Sequence, residues 1–382
     1  MTAAWPLRGR AAIVGVGTTA QGELPGRSAN QIAIEALRLA LDDAGIAKDS
    51  IDGLITCRSN GGEGVDTQIG ALAGLNPRYS ATLDYGTCNF SLHLGAMAIA
   101  AGMASTIALV YGTNQRSARR RFDTVADGAE ERLLGRHGFH NIAGPAAMSF
   151  RRHQHLFGTT EEQLGAIAVT QRRHAALNPL SIFRDPLSLE DYLAAPYLVR
   201  PLRRPDLCMI SDGGACLILT TAEAAAGHPR RPAYLLGAAQ RTGLRHHENE
   251  DNLRRPWATG IAEELYERAG VAQADVDALY VQDATSVAVL EALELYGYCA
   301  PGDAGPFVAE GRIALGGELP VNSNGGQLSE AYMWGWLHLC EAVRQLRGEC
   351  GPRQVPGAAI VQYCSTQGYR KVAASILASA VA

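Results

Sequence analysis

The sequence predicts an α/β fold made of two similar halves. Apolar runs of strand length alternate with amphipathic segments of helix length, which indicates a parallel sheet covered on both faces. Residues 43–56 (DAGIAKDSIDGLIT) resemble residues 268–281 (RAGVAQADVDALYV), and such a repeat predicts two copies of one unit facing each other. The 382 residues are 47% hydrophobic, enough for two cores. We expect an N-terminal half at residues 1–225 and a C-terminal half at 226–382.

The first half opens with a strand and a helix. Residues 11–16 predict a buried strand, and residues 28–44 carry apolar side chains at helical spacing until Gly45 ends the helix. The segment from Gly15 to Ala20 fits the loose dinucleotide fingerprint G-x-G-x-x-A, which requires a helix to begin at once. The predicted helix begins only near residue 28, so no nicotinamide site is expected.

The remaining core elements follow the same alternation. A helix of small and apolar residues is predicted at residues 91–102, and residues 211–214 (SDGG) predict a turn before a strand. The other predicted strands are residues 51–56, 106–111, 215–219, 233–236 and 358–363.

Residues 114–204 differ from this pattern, because they are rich in Arg, His, Pro and Gly. We interpret them as a segment inserted in the N-terminal half, either a lid or a support for a dimer. Its basic face could bind phosphates, or it could be a solvated surface balanced by local acids. His153 and His155 do not have the spacing of a metal site, and no metal is expected.

Residues 319–335 (LPVNSNGGQLSEAYMWG) combine a turn with a helix start. Pro320 and the Asn- and Gly-rich residues 322–326 predict a tight turn, since Asn and Gly tolerate positive φ. Ser329 and Glu330 predict a helix that continues to about residue 346. Tyr332 would then lie in its first turn, where a polar side chain can face an anion or a carbonyl oxygen. Alternatively, this is a plain junction whose Tyr hydroxyl makes one hydrogen bond.

Bulk composition excludes several classes of protein. The net charge of −4 gives no reason to bind nucleic acid. Eight Cys without a C-x-x-C pair indicate reduced thiols in a cytoplasm. The longest apolar run, residues 95–112, is interrupted by Gly102, Ser105 and Thr106, so neither a membrane span nor a signal segment is expected.

Motifs spread over nearly the whole chain resemble the thiolase superfamily, in its lipid-transfer-protein-like branch. They are residues 172–174 (RRH), 183–187 (FRDPL), 211–214 (SDGG), 320–322 (PVN) and 325–330 (GGQLSE). The resemblance implies a five-layered αβαβα thiolase fold and a homodimer. The family's nucleophilic Cys aligns with Gly86, and a glycine cannot form a thioester. A family His aligns with Gln282, the Gly-His-Pro motif becomes Ala331-Tyr332-Met333, and a C-terminal family Cys aligns with Cys364.

Loss of that Cys together with a Tyr at position 332 resembles the retro-aldolases that cleave β-hydroxyacyl-CoA thioesters of steroid side chains. The resemblance implies an acyl-CoA-dependent carbon–carbon lyase that works with a small OB-fold partner, often carrying a zinc ribbon. Its substrate is a CoA thioester, and no covalently bound cofactor is expected. Gln282 cannot be a general base, so Tyr332 or Asp283 would take the substrate proton. The other expected site residues are Asn322, Gly325 and Gly326 at the thioester oxygen, Tyr85 lining the cleft and Arg184 at the CoA phosphates.

Two alternatives remain open from the sequence. Cys88 could be a relocated nucleophile of a thiolase or acyltransferase, because thiolates near helix N-termini have a lowered pKa. The chain could instead be a non-catalytic thiolase-fold subunit that binds acyl-CoA or scaffolds a partner, an interpretation favoured by Gly86 and Gln282.

Overall fold

Strands from both halves of the chain join in one mixed sheet. The structure, a computed structural model, describes residues 5–59, 61–84, 88–120, 136, 141–243, 256–367 and 371–381. The strands within these ranges are β1 (Ala11–Thr18), β2 (Gly53–Cys57), β3 (Tyr79–Leu83), β4 (Thr106–Thr113), β5 (Tyr197–Val199), β6 (Leu202–Arg203), β7 (Gly213–Thr221), β8 (Ala233–Thr242), β9 (Ala278–Val281), β10 (Ile360–Gln367) and β11 (Lys371–Ala378). The main sheet has the order β3-β2-β4-β7-β1-β8-β11-β10-β9.

Helices cover this sheet and fill the space between its two halves. They are α1 (Ala29–Ala44), α2 (Asp66–Ala73), α3 (Cys88–Ala100), α4 (Ala143–Phe157), α5 (Glu161–Ala176), α6 (Leu189–Ala194), α7 (Ala222–Ala226), α8 (Ile261–Ala269), α9 (Val287–Leu295), α10 (Ala304–Ala309), α11 (Gly326–Ser329) and α12 (Trp336–Arg347). None of the helices in the described ranges is long and apolar enough to cross a bilayer.

The prediction of a wholly parallel sheet is wrong. β2 pairs in parallel with β3 and β4, and β10 pairs in parallel with β9. β7 and β11 run antiparallel to their neighbours, and the two halves meet where β1 and β8 pair antiparallel. Strands buried on both faces are apolar throughout whether they pair in parallel or antiparallel. Composition alone therefore could not distinguish parallel from antiparallel pairing.

The internal repeat is confirmed in local geometry. α1 ends at Gly45 and α8 ends at Gly270, both left-handed, with φ of 66° and 64°. A short 3-10 turn and a strand follow each glycine. The Asp52 carboxylate accepts two backbone N–H groups at the start of β4, and the Asp277 carboxylate accepts two at the start of β10. The boundary between residues 225 and 226 stays a prediction.

Hydrophobic cores on both faces of each half-sheet define five layers. Along β1, Ala12 and Val14 pack in an outer core with α1, whereas Ile13 and Val16 pack in a central core with α3 and α12. The other half-sheet separates the central core from a second outer core that contains α8 and α9. Alternate strand residues thus face different helical layers, and the five-layered αβαβα arrangement is confirmed.

The glycines of the rejected dinucleotide fingerprint have a packing function. A Cβ at Gly17 would overlap the backbone of α1 at Ala36, and one at Gly15 would overlap it at Ala40. α1 therefore lies directly on β1; it begins at Ala29, close to the start predicted near residue 28, and Ser28 is its N-cap.

Two local predictions near the candidate site are wrong. Gly213 and Gly214, predicted in a turn, belong to β7. The helix predicted from Ser329 is broken, with a short α11 and a longer α12 separated by residues 330–335. Trp334 and Gly335 both have positive φ, 52° and 82°, and a right-handed helix cannot continue through such residues.

Candidate functional site

The carboxylate of Asp283 holds both ends of the segment that carries Tyr332. Asp283 follows β9 and is completely buried. It accepts the backbone N–H groups of Gln327 (2.8 Å) and Leu328 (3.3 Å) at α11, and His338 Nε2–H in the first turn of α12 (3.0 Å). A carboxylate that accepts three donors is strongly fixed in place. Asp283 thereby sets the spacing between α11 and α12, and Tyr332 lies between them.

Tyr332 lies in an irregular segment rather than in the first turn of a helix. Its backbone forms an isolated parallel bridge with Ile210, and its N–H donates to Ser211 Oγ at 3.3 Å. Its ring lies against Trp334, with centroids 5.2 Å apart. The side chain is 6% exposed. Ile210 and Ser211, just before β7, and the ring of Trp334 therefore position Tyr332, which precedes α12 instead of lying in its first turn.

The groups predicted to bind the thioester oxygen are used within the protein. Asn322 has φ of 50°, as its predicted turn requires, but its side chain accepts Val281 N–H (2.7 Å) and donates to Val281 O (3.0 Å). Gly325 N–H donates to Asn322 O, and Gly326 N–H donates to Asn324 Oδ1. The backbone N–H groups of Gly325 and Gly326 and one N–H of the Asn322 amide are thus occupied, and the geometry indicates a rigid turn. Binding of a substrate oxygen by these three residues stays a prediction.

The inserted segment is locked onto this turn by buried polar contacts. His174 Nδ1–H donates to Asn322 O (3.1 Å), and its Nε2 accepts Leu315 N–H (3.1 Å). Asn178 donates to Glu330 Oε1 (2.9 Å). Burial lowers the pKa of His174 to about 4, whereas burial and the nearby charge of Glu341 raise the pKa of Glu330 to about 7.

Neither candidate thiol is activated. Cys88 begins α3 in the central core, where burial among other thiols raises its pKa well above the ordinary value. Cys364 lies in the outer C-terminal core, where burial raises its pKa to about 12, and Gln362 donates to its sulfur. A nucleophilic Cys requires a lowered pKa. The buried setting of Cys88 therefore does not favour a relocated nucleophile, which stays a prediction, and Cys364 faces away from the central layer.

The remaining predicted residues are placed as follows. Gln282 is buried beside Asp283, and its backbone N–H donates to Cys364 O. Arg184 is exposed on the inserted segment, and Tyr85 lies outside the described residues. Two surface depressions, of about 570 and 400 Å³, are lined by none of the predicted site residues. The structure thus brings Tyr332, Asp283, Gln282 and the 322–326 turn into one region of the fold.

Sequence reasoning missed three buried residues of this region: Gln327, His338 and Tyr363. His338 interrupts an apolar stretch of α12, and this was the only local signal available for it. Tyr363 looked like an ordinary strand residue, although its ring lies 6.0 Å from that of His338. Within the described ranges, no group of three or more His, Cys, Asp or Glu residues could hold a metal ion.

Comparison with known proteins places the chain in a family. Residues 239–379 match the thiolase C-terminal domain-like family. The chain is 36% identical to the steroid side-chain-cleaving aldolase of Thermomonospora curvata, covering 90% of this chain and 91% of that protein. It is 34% identical to the 17-hydroxy-3-oxo-4-pregnene-20-carboxyl-CoA lyase of Mycobacterium tuberculosis, covering 90% and 92%.

A solved structure agrees with these sequence matches. The Ltp2–ChsH2(DUF35) aldolase superposes with a TM-score of 0.89 at 33% identity, covering 97% of this chain and 98% of that chain. The predicted resemblance and the thiolase fold are both confirmed. The chain belongs to the thiolase-like family that includes the steroid side-chain-cleaving aldolases.

Proposed function

We propose that this protein is an acyl-CoA-dependent carbon–carbon lyase that cleaves a bulky β-hydroxyacyl-CoA thioester by a retro-aldol reaction. The observation that carries the proposal is the 36% identity, over 90% of the chain, to a steroid side-chain-cleaving aldolase. The relative named for cleavage of a steroid CoA thioester supports the same substrate class. The high pKa of Cys88 supports a reaction without a covalent acyl-enzyme.

The reaction requires proton transfer and stabilisation of an enolate. A base takes the proton of the β-hydroxyl, whose O–H electron pair becomes the second bond of the new carbonyl. The Cα–Cβ bond breaks, and its electron pair moves towards the thioester oxygen to give an enolate. A proton then returns to Cα and releases a shortened acyl-CoA. We assign proton transfer at the β-hydroxyl to Tyr332, acting as a phenolate that becomes a phenol, because Asp283 is already occupied by three donors.

The proposal includes a small protein partner and a homodimer. The solved aldolase of this family contains a DUF35 chain, and we expect an OB-fold protein of this kind, with a zinc ribbon, to bind this chain. A CoA thioester is the substrate, and no covalently bound cofactor takes part. All eight cysteines are free, which supports a cytoplasmic location.

The test is cleavage of 17-hydroxy-3-oxo-4-pregnene-20-carboxyl-CoA by the chain co-purified with its partner, followed by detection of the ketone and the shortened acyl-CoA. Tyr332→Phe should lower kcat by about 10²–10⁴-fold, the usual contribution of a general acid–base group. Tyr197→Phe, which removes an exposed phenol bonded to Glu161, is the matched control and should retain activity. If the wild-type complex yields neither product, or if Tyr332→Phe is fully active, the proposal or the role of Tyr332 is wrong.

A further inference from the structure

Buried polar side chains without partners surround Gly326 and Gly335. Within the part of the chain that the structure describes, no hydrogen-bond partner reaches Tyr363 Oη, Gln327 Nε2, His338 Nδ1, Trp336 Nε1 or the side-chain amide of Gln171. All five residues are buried. Buried polar groups are nearly always hydrogen-bonded, so an orphaned group in a protein interior requires an explanation, such as a catalytic role. Five such residues in one region indicate a place where a partner from outside the chain binds.

Two of these groups meet at Gly335. Gln327 Oε1 accepts Gly335 N–H at 3.0 Å, which fixes the amide and leaves its Nε2–H₂ without an acceptor. A Cβ at Gly335 would overlap Tyr363 Oη, so the phenol lies directly against this glycine. Both groups are hydrogen-bond donors. Both groups therefore need an oxygen atom near Gly335 that accepts their hydrogen bonds.

The Asp283–His338 pair makes this arrangement rigid. Asp283 accepts the N–H of Gln327 and the Nε2–H of His338, so one carboxylate positions both residues. The His338 ring lies 6.0 Å from the Tyr363 ring. Donors that are fixed before the substrate arrives stabilise developing charge without a reorganisation cost.

Tyr363 differs from its strand neighbour Tyr280 in one respect. The two residues are register partners on β10 and β9, and both are buried. Tyr280 Oη bonds to Ser323 Oγ at 2.7 Å, whereas Tyr363 Oη has no such bond. Burial raises the pKa of Tyr363 well above its ordinary value, and the Ser365 side chain two residues along β10 opposes this shift, although it lies outside hydrogen-bond geometry to Tyr363 Oη. The Tyr363 phenol therefore keeps its proton and can donate a hydrogen bond.

We propose that Tyr363 Oη and Gln327 Nε2 form the oxyanion site of the retro-aldol reaction, donating hydrogen bonds to the thioester oxygen as it becomes an enolate oxygen. This inference rests on the proposed function and adds to it the groups that receive the electron pair of the broken Cα–Cβ bond. The proton of the β-hydroxyl goes to the phenolate oxygen of Tyr332, and both oxyanion donors keep their protons throughout. Asp283 and His338 act as positioning residues.

The test compares Tyr363→Phe with Tyr280→Phe in the complex with the partner. Removing one oxyanion donor costs about 10²–10³ in kcat, and KM should change little because the interaction forms in the transition state. Tyr363→Phe should leave the melting temperature unchanged or raised, since the hydroxyl has no protein partner to lose. Tyr280→Phe should lower the melting temperature and leave kcat close to that of the wild type.

Two results would overturn the inference. One is a Tyr363→Phe variant that cleaves at the wild-type rate, which would mean that water alone satisfies the phenol. The other is a loss of activity by Tyr363→Phe that is matched by a loss of folding.

A second readout separates this inference from the proposed function: exchange of the Cα hydrogens of butyryl-CoA in D₂O requires an enolate but no cleavage. Slower exchange in Tyr363→Phe would support the oxyanion site even if no β-hydroxyacyl-CoA were cleaved, and equal exchange would refute it.

Discussion

Protonation of His174 should release the inserted segment from the turn that precedes Tyr332. The imidazole is neutral in the folded protein, because Nδ1–H donates to Asn322 O while Nε2 accepts Leu315 N–H. A second proton, on Nε2, would turn this acceptor into a donor that faces the N–H donor of Leu315. Burial lowers the pKa of His174 from 6.5 to about 4. The unfolded chain therefore binds more protons between these two values, and stability falls as the pH falls through this window.

The size of the effect follows from the two pKa values. One unit of pKa shift corresponds to about 1.4 kcal/mol. For a shift from 6.5 to about 4, the unfolding free energy falls by about 2 kcal/mol between about pH 7.5 and pH 5. His93 adds a similar contribution, since burial also lowers its pKa to about 4. Glu330 has the opposite effect on stability, because burial raises its pKa to about 7. The folded chain therefore binds this proton more readily than the unfolded chain, which adds stability as the pH falls.

The contribution of His174 is isolated by substitution. His174→Gln should reduce the fall in unfolding free energy between about pH 7.5 and pH 5 by about 2 kcal/mol relative to the wild type. Chemical denaturation at each pH measures this difference. His155→Gln, at an exposed residue of α4, is the control and should keep the wild-type pH dependence. An identical pH dependence in His174→Gln and the wild type would refute the argument.

Local sequence signals predicted the framework of the fold. Gly45 and Gly270, which match in the repeat, have left-handed backbones and end equivalent helices. The similar sequences therefore form the same helix end. Asn322, Gly325 and Gly326 have positive φ as their residue types suggested. The break between α11 and α12 was missed because Trp residues rarely adopt the left-handed backbone conformation. Only the surroundings of Trp334 hold its φ at 52°.

The candidate site depends on distances that a single sequence does not contain. Asp283 is held by Gln327 and His338, more than forty positions along the chain, and no local pattern indicates that pairing. Cys364 and Tyr363 differ by one position and face opposite layers, because side chains alternate along a strand. The motif alignment pointed to the Cys, whereas the adjacent Tyr faces the central layer that contains α12.

Two further substitutions test the thiol and the cluster at Gly335. Cys88→Ala should leave cleavage within about twofold of the wild-type rate and cost about 1 kcal/mol of stability, since it removes only a buried sulfur; a loss of turnover without unfolding would support Cys88 as a nucleophile. Gly335→Ala should destabilise by about 2–5 kcal/mol, because it combines a positive φ with overpacking against Tyr363. Gly348→Ala has φ of 78° and open space around its Cβ, so it should cost only about 1–2 kcal/mol. The difference between these two variants in urea denaturation measures how tightly the phenol packs on Gly335, and equal losses would contradict that contact.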